Sequence, residues 1–244
     1  MIGAGRVRID GMPAAKPATA VSVDANLTVI ESDERTWVSR GAHKLIGALD
    51  AFGLSVEGRR CLDAGASTGG FTEVLLDRGA AEVVAADVGY GQLAWSLRSD
   101  PRVHVLERTN VRDLTPEAIG GPVQMIVADL SFISLATVLP ALTACAVRDA
   151  DIVPMVKPQF EVGKDRVGAG GVVSDPELRI DAVCTVGRKA AALQWHAVDV
   201  TASPLPGPSG NVEYFLRLRA ETDSPLEGDA LEAAVRRAVE EGPQ

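Results

Sequence analysis

The sequence predicts an α/β fold with a mainly parallel, seven-stranded sheet that is flanked by helices. Five short apolar runs each end before a polar residue, and they lie at residues 61–62, 83–86, 103–106, 125–128 and 152–156. Helical patterns separate most of these runs, an alternation that is typical of right-handed βαβ units. Two further strands are expected at residues 196–200 and 212–218, after a helix over residues 176–193.

The composition excludes several classes of protein. With 244 residues, of which 46% are hydrophobic, the chain can bury a sizeable core and is not disordered. A net charge of −9 argues against a uniformly basic coat for nucleic acid. Residues 221–244, expected to form an acidic and helical tail, contain seven acidic and two basic side chains, so the first 220 residues carry only −4. A local RNA-binding surface is compatible with that balance.

The cysteines and apolar stretches predict a cytoplasmic protein without a metal site or a membrane span. Cys61, Cys145 and Cys184 are far apart and set among apolar residues, which favours neither a disulfide framework nor a metal knuckle. No basic-then-apolar signal segment opens the chain. The longest apolar stretch, residues 123–142, contains Asp129, whose charge would be uncompensated in a membrane.

The first thirty residues have the pattern of a small module. Residues 5–11 alternate apolar and charged side chains and end at a glycine, as a half-buried strand does, and a similar alternation recurs at residues 27–30. Two short strands bury too little surface to be stable alone. The basic side chains Arg6, Arg8 and Lys16 are candidates for RNA phosphate contacts, although scattered charges are also typical of an ordinary solvated surface.

A glycine-rich turn between the first strand of the sheet and the next helix predicts a nucleotide-like ligand. The segment CLDAGASTGGFTEVLL places a strand, a turn and a helix in succession, and the turn amides are expected to face the ligand. Ser67 occupies the position of the second glycine of a dinucleotide fingerprint, which disfavours NAD. An acidic residue before the turn suits a positively charged ligand, and S-adenosylmethionine carries an ammonium and a sulfonium.

Acidic and amide side chains after the following strands extend this candidate site. Asp87 is placed where a carboxylate accepts hydrogen bonds from ribose hydroxyls, and Asn110 is suited to an adenine edge. The alternative for Asp63, Asp87 and Asn110 is a role as loop caps, and Asn110 fits that alternative better than Asp87 does. The candidate cofactor residues are Asp63, Gly65, Ala66, Ser67, Gly69, Gly70, Phe71, Thr72, Asp87, Asn110 and Asp129.

Two of the five lysines stand in apolar surroundings and predict acid–base chemistry. Lys157 ends the strand DIVPMVKP, and lysine can lose its proton when it is desolvated, which arginine cannot. Asp129 ends MIVADLSF, so both side chains are expected at the carboxyl edge of the sheet beside the methyl donor. We assign Lys157 as the base, Asp129 as its orienting partner, and Lys44 with Glu213 as the pair that positions a ribose hydroxyl. Taken alone, Lys44 and Glu213 also fit a surface ion pair.

Five ordered motifs resemble the TlyA (hemolysin A) family of ribosomal RNA ribose methyltransferases, which is related to the FtsJ-like enzymes: SRGAHKL, DAGASTGGFT, VADLSFISL, VKPQFEVGK and PSGNVEYF. The resemblance covers residues 5–219. It implies a Rossmann-like class I methyltransferase fold, S-adenosylmethionine as cofactor and 2'-O-methylation of cytidine in 16S and 23S rRNA. The catalytic tetrad of that family matches Lys44, Asp129, Lys157 and Glu213.

The resemblance also implies how the chain is divided. Residues 1–34 are expected to be part of an S4-like RNA-binding domain whose two helices would precede the strand at residues 6–9. RTWV, residues 35–38, resembles an interdomain linker, residues 39–220 are the methyltransferase domain, and residues 221–244 are the tail. Arg40 and His43 lie beside the first motif and are further candidates for RNA contacts, although a single histidine there is more typical of a helix end.

The prediction is therefore a cytoplasmic rRNA 2'-O-methyltransferase that acts on ribosomal RNA or ribosomal subunits without an obligate protein partner. Three alternatives remain open: a cofactor-binding RNA or assembly module without turnover, a membrane-lytic hemolysin, and a small-molecule methyltransferase. Trp95 and Trp195 are expected in the core, because their isolated positions indicate no base-stacking platform.

Overall fold

The computed structural model describes residues 2, 6–16, 18–30 and 36–243, and the chain divides into two compact units, Met1–Thr36 and Trp37–Gln244. The first unit contains a small antiparallel sheet of order β2-β1-β3, formed by β1 (Val7–Ile9), β2 (Met12–Pro13) and β3 (Leu27–Val29). Asp10 and Gly11 between β1 and β2 both have positive φ, the conformation of a tight hairpin turn. The Asp10 carboxylate accepts a hydrogen bond from the Asn26 amide at 2.8 Å, which ties the turn to the approach of β3.

The second unit is built on a seven-stranded sheet. Its strands are β4 (Arg60–Ala64), β5 (Glu82–Ala86), β6 (Val103–Leu106), β7 (Val123–Ala128), β8 (Ala146–Val156), β9 (His196–Ala202) and β10 (Tyr214–Arg219), in the order β6-β5-β4-β7-β8-β10-β9. The first five in sequence are parallel, and β10 runs antiparallel to both of its neighbours. The chain reverses its direction of strand addition between β6 and β7, so the carboxyl ends of β4 and β7 flank a topological switch point.

Helices cover both faces of this sheet. They are α1 (Gly41–Ala51), α2 (Gly70–Asp77), α3 (Trp95–Arg98), α4 (Leu135–Ala144), α5 (Pro158–Glu161), α6 (Pro176–Ala192) and α7 (Gly228–Glu241). Strand side chains alternate between two cores: Val83 and Ala85 belong to the core that includes α1, α2 and α3, while Val84 and Ala86 belong to the core that includes α4, α6 and α7. Helix α6 starts at Pro176 because the Asp175 carboxylate caps it by accepting the Glu177 amide at 2.9 Å.

The predicted fold class, α/β with a mainly parallel seven-stranded sheet, is confirmed. The acidic C-terminal segment contains α7, whose apolar face is buried against the core through residues such as Leu231 and Val235. Trp195 is buried as expected, but the prediction for Trp95 is wrong, because this side chain is 77% exposed at the start of α3. Among the described residues, no helix has the length and apolarity needed to cross a membrane.

Candidate active site

Two neighbouring cavities open at the carboxyl edge of the parallel strands. The first, here called the tetrad cavity, has a volume of about 350 Å³ and is lined by residues of the glycine turn, of α1 and of the ends of β7 and β8. The second, the acidic cavity, has a volume of about 450 Å³ and is lined by residues that follow β4, β5, β6 and β7. Gly65, Ser67, Asp129 and Ser131 line both, so the two cavities adjoin along one wall.

The structure brings the four predicted catalytic side chains to the tetrad cavity as two ion pairs. Lys157, directly after β8, donates to Asp129 Oδ1 at 2.6 Å and to Ser131 Oγ at 3.0 Å. Lys44 lies in the first turn of α1 and donates to Glu213 Oε2 at 2.5 Å. Glu213 directly precedes β10. All four residues line the same cavity. Sheet geometry explains the first pair, because β7 and β8 are parallel neighbours and their carboxyl ends lie side by side.

Three of the four side chains in these ion pairs are buried. Lys44 is 6% exposed, Lys157 is 9% exposed and Glu213 is 1% exposed. A buried ammonium or carboxylate is costly unless it is paired and hydrogen-bonded. The alternative of a solvated ion pair for Lys44 and Glu213 is therefore contradicted by their burial.

The glycine turn has the backbone conformation expected where another backbone segment comes close, but most of its amides bind the protein and do not face the cavity. Gly65 has a φ of +89°, and a Cβ at this position would collide with the backbone oxygen of Asp129. The Gly65 and Ala66 amides donate to Ala86 O at 2.8 and 3.2 Å. The Ser67 amide donates to Asp87 Oδ2 at 2.8 Å. The expectation that the turn amides face the ligand is therefore wrong for these three residues, because they join the turn to the end of β5.

Asp63 lies behind the cavity wall and not in it. Its side chain is fully buried, and one carboxylate oxygen accepts a hydrogen bond from the Thr72 hydroxyl at 2.7 Å, while no partner is found for the other. Burial raises the pKa of the Asp63 carboxyl to about 7, against the opposing effect of the Thr72 hydrogen bond. Asp63, Gly69 and Thr72 line neither cavity, so the structure places these three predicted cofactor residues beneath the site.

The other predicted cofactor residues line one or both cavities. Gly65, Ala66, Ser67, Gly70 and Phe71 line the tetrad cavity, and Asp87 and Asn110 line the acidic cavity. Asp87 also accepts the Gly89 amide at 2.6 Å, and Asn110 Oδ1 caps the next turn by accepting the Arg112 amide at 3.1 Å. Both side chains are thus loop caps that also line the cavity, and their contacts with ribose and adenine stay predictions.

The candidate RNA-binding residues are distributed over both units. Arg40 is exposed and lines the tetrad cavity, and His43 is exposed on α1 next to Lys44. In the first unit, Arg8 and Lys16 are exposed and Arg6 is half-buried. Within the described residues, no cluster of three or more His, Cys, Asp or Glu side chains could hold a metal ion.

Sequence reasoning did not single out Ser131, which contacts Lys157. Ser131 lies in a loop without helical or strand periodicity, and only its position two residues after Asp129 was available as a signal. It also did not identify Ser39, which lines the tetrad cavity. Ser39 packs so closely on Gly70 that a side chain at position 70 would collide with the Ser39 hydroxyl.

Comparisons with known proteins agree with this geometry. Residues 37–220 match the model of the FtsJ-like methyltransferases. The chain belongs to this family. It is 74% identical over 243 residues to the 16S/23S rRNA (cytidine-2'-O)-methyltransferase TlyA of Mycobacterium tuberculosis, covering 100% of this chain and 91% of that protein. Hemolysin A of Brachyspira hyodysenteriae is 37% identical, over 88% of this chain and 89% of that protein.

A solved structure shows the same architecture. A candidate hemolysin from Streptococcus thermophilus is 37% identical and superimposes with a TM-score of 0.81, over 98% of this chain and 88% of that one. The Rossmann-like class I methyltransferase fold is thus confirmed, and the methyl donor of this FtsJ-like enzyme is S-adenosylmethionine. The acidic cavity fits that cofactor, because the Asp87 and Asp129 side chains line it and suit a ligand that carries positive charge.

Proposed function

We propose that this chain methylates the ribose 2'-oxygen of cytidine in 16S and 23S ribosomal RNA. The observation that carries the proposal is that Lys44, Asp129, Lys157 and Glu213 line one cavity, which adjoins a second, acid-lined cavity suited to the cofactor. The name of the 74% identical relative supports the choice of nucleotide and of RNA. An rRNA substrate further supports a cytoplasmic location and ribosomal RNA or ribosomal subunits as the partners.

In this proposal, S-adenosylmethionine held in the acidic cavity would supply a methyl group activated by the positive charge on sulfur: as the bond to the 2'-oxygen forms, the bond to sulfur would break and S-adenosylhomocysteine would leave. Asp87 and Asp129 line the acidic cavity and stabilise that charge. Lys157 is the group that accepts the proton that the 2'-hydroxyl loses as it is methylated. Asp129 and Ser131 hold Lys157 Nζ in one place, because each accepts a hydrogen bond from it.

The second ion pair positions the substrate. Glu213 fixes the Lys44 ammonium, which is then directed at the ribose and the adjacent RNA backbone in the tetrad cavity. Arg40 and His43 lie on the exposed side of the same helix start, where phosphates of the RNA would bind.

The test is mass spectrometry of nucleosides from 16S rRNA, 23S rRNA and ribosomal subunits incubated with the protein and S-adenosylmethionine. We expect 2'-O-methylcytidine from the wild type and, because the proton acceptor is lost, a decrease of roughly 100-fold or more in rate for Lys157→Ala. Lys189→Ala, on an exposed lysine of α6, is the matched control and should retain full activity.

Other outcomes would favour the other candidates. Cofactor binding without product on any RNA or subunit would indicate an assembly module without turnover. Leakage from liposomes that persists in Lys157→Ala would indicate a lytic protein whose activity does not use this site. Methylation of free nucleosides but not of RNA would indicate a small-molecule enzyme.

We also propose that residues 1–34 belong to an S4-like RNA-binding domain, that residues 35–38 link it to the methyltransferase domain of residues 39–220, and that residues 221–244 form a helical tail. The division of the chain at Thr36 and the family match from residue 37 support the boundary. Replacing both Arg8 and Lys16 by alanine should weaken RNA binding and reduce the slope of log K against log salt by about 1 to 2, without changing cofactor affinity.

A further inference from the structure

The segment between β7 and α4, residues 129–134, carries both partners of the proposed base. Asp129 and Ser131 each bind Lys157 Nζ, at 2.6 and 3.0 Å. The segment contains no regular secondary structure, and at its first half it is held by the Asp129 amide, which donates to Ala64 O at 3.0 Å, and by Leu130, which packs against the core. The position of Lys157 Nζ therefore depends on how this segment is held.

The segment has an unfavourable backbone conformation at its centre. Phe132 has a φ of +64°, in the left-handed region that bulky side chains rarely adopt. Such a conformation persists only where its surroundings enforce it. The Phe132 ring packs on Phe160 of α5, with centroids 5.3 Å apart, which is one contact that restrains it.

Glu161, the last residue of α5, holds the far end of the same segment. Its carboxylate accepts two hydrogen bonds, from Ser134 Oγ at 2.6 Å and from the Leu135 amide at 2.8 Å. Leu135 begins α4, so the carboxylate also lies at the positive end of that helix dipole. Glu161 follows Lys157 by four residues, and α5 spans the distance between them.

We propose that Glu161 is a positioning residue for methyl transfer. Segment 129–134 is joined to the start of α5 through Lys157 and to its end through Glu161, and the two attachments together fix where Asp129 and Ser131 present their oxygens. This inference rests on the proposed function. Without Glu161, the strained turn at Phe132 can relax, and Lys157 Nζ loses its defined position while the cofactor cavity keeps its residues.

A helix cap that served stability alone would behave differently. Asp175 caps α6 through the Glu177 amide at 2.9 Å, lies outside both cavities and forms no hydrogen bond or ion pair with segment 129–134 in the described part of the chain. Asp175→Ala is therefore a matched control that removes a cap without touching the segment. Glu161→Gln is the conservative variant, because its amide oxygen can still accept the Leu135 amide while its NH₂ group donates to Ser134 Oγ.

The experiment measures kcat, KM for RNA, cofactor Kd and urea stability for wild type, Glu161→Ala, Glu161→Gln and Asp175→Ala. We expect Glu161→Ala to lower kcat roughly 10- to 100-fold because the base is misplaced. KM for RNA and the cofactor Kd should stay within about threefold of the wild type. Glu161→Gln should recover most of kcat, and Asp175→Ala should lose stability but keep kcat.

The outcomes separate this inference from the proposed function. An active wild type with equal kcat in Glu161→Ala and Asp175→Ala would refute the role of Glu161 alone. A wild type without activity on any rRNA or subunit would refute the proposed function and, with it, this role. If Glu161→Ala does not fold, Ser134→Ala replaces it: this variant removes one of the two bonds, and a kcat equal to that of the wild type would refute the inference.

Discussion

Replacing Asp63 by asparagine should change how the stability of the protein depends on pH. The Asp63 carboxyl is fully buried, and its pKa is raised from the ordinary value of 3.8 to about 7. Below 3.8 the carboxyl is protonated whether the chain is folded or unfolded, whereas between 3.8 and about 7 only the folded protein keeps the proton. The wild type therefore loses stability as pH rises through this interval, by about 4 kcal/mol at about 1.4 kcal/mol for each pKa unit.

Asparagine removes this loss because it does not ionise. It can still accept the Thr72 hydrogen bond through its amide oxygen, and any other cost of the substitution is independent of pH. The assay is urea unfolding of both proteins at about pH 4.5 and about pH 8.5, from which the free energies of unfolding are compared. The stability of Asp63→Asn relative to the wild type should rise by about 3 kcal/mol between the two pH values, because part of the loss has already occurred by about pH 4.5.

Asp165→Asn, on an exposed side chain, is the control and should show no such increase. A relative stability of Asp63→Asn that changes by less than about 1 kcal/mol between the two pH values would refute the reasoning. It would mean that the buried carboxyl is not held neutral in the folded protein.

Three further predictions concern the cavities. Gly65→Ala should abolish cofactor binding and destabilise the protein, because the added Cβ collides with the backbone of Asp129. Gly53→Ala is the control: Gly53 also has positive φ but faces open space, so this variant should lose only about 1 kcal/mol of unfolding free energy in urea and should still bind the cofactor. Lys44→Met leaves the Glu213 carboxylate buried without its partner and should lower the free energy of unfolding by about 3 to 5 kcal/mol. The double variant Lys44→Met/Glu213→Leu should recover much of that loss. If the effects of the two single substitutions simply add in the double variant, the coupling is contradicted. Asp87→Ala should weaken S-adenosylmethionine binding in calorimetry, by roughly tenfold or more if it accepts ribose hydroxyls, since a charged hydrogen bond contributes about 1.5 to 3 kcal/mol.

The parts of the site that lie at strand ends could be predicted from the sequence. Asp87, Asp129 and Lys157 each follow an apolar run directly, and parallel strands bring such residues to one edge whatever the loops between them do. Lys44 and Glu213 were different. One lies on a helix and the other precedes the antiparallel strand β10, so no rule of the parallel sheet joins them; they were assigned as a pair from their opposite charges, and the tetrad of the resembling family matches that assignment.

The sequence did not predict the direction of the side chains in β4, the first strand of the seven-stranded sheet. Asp63 immediately precedes the glycine turn and was expected beside the ligand, but alternation along β4 directs it toward the layer of α1 and α2. The amides of Gly65 and Ala66 were likewise expected to face outward, and they bind Ala86 O because β5 lies beside β4. A sequence shows that a turn is present, but the hydrogen bonds of that turn depend on which strand lies next to it.

The structure thus gives different roles to carboxylates that the sequence grouped together. Asp87 and Asp129 reach the cavities, where backbone amides and Lys157 respectively hold them, and charge there is useful to a cationic cofactor. Asp63 is held by Thr72, and at pH values below about 7 its protonated carboxyl adds no third negative charge beneath the turn. If all three were ionised, the repulsion between them would oppose the close approach of β4, β5 and β7 that creates the site. The raised pKa of Asp63, caused first by its burial, therefore keeps that repulsion small at pH values below about 7.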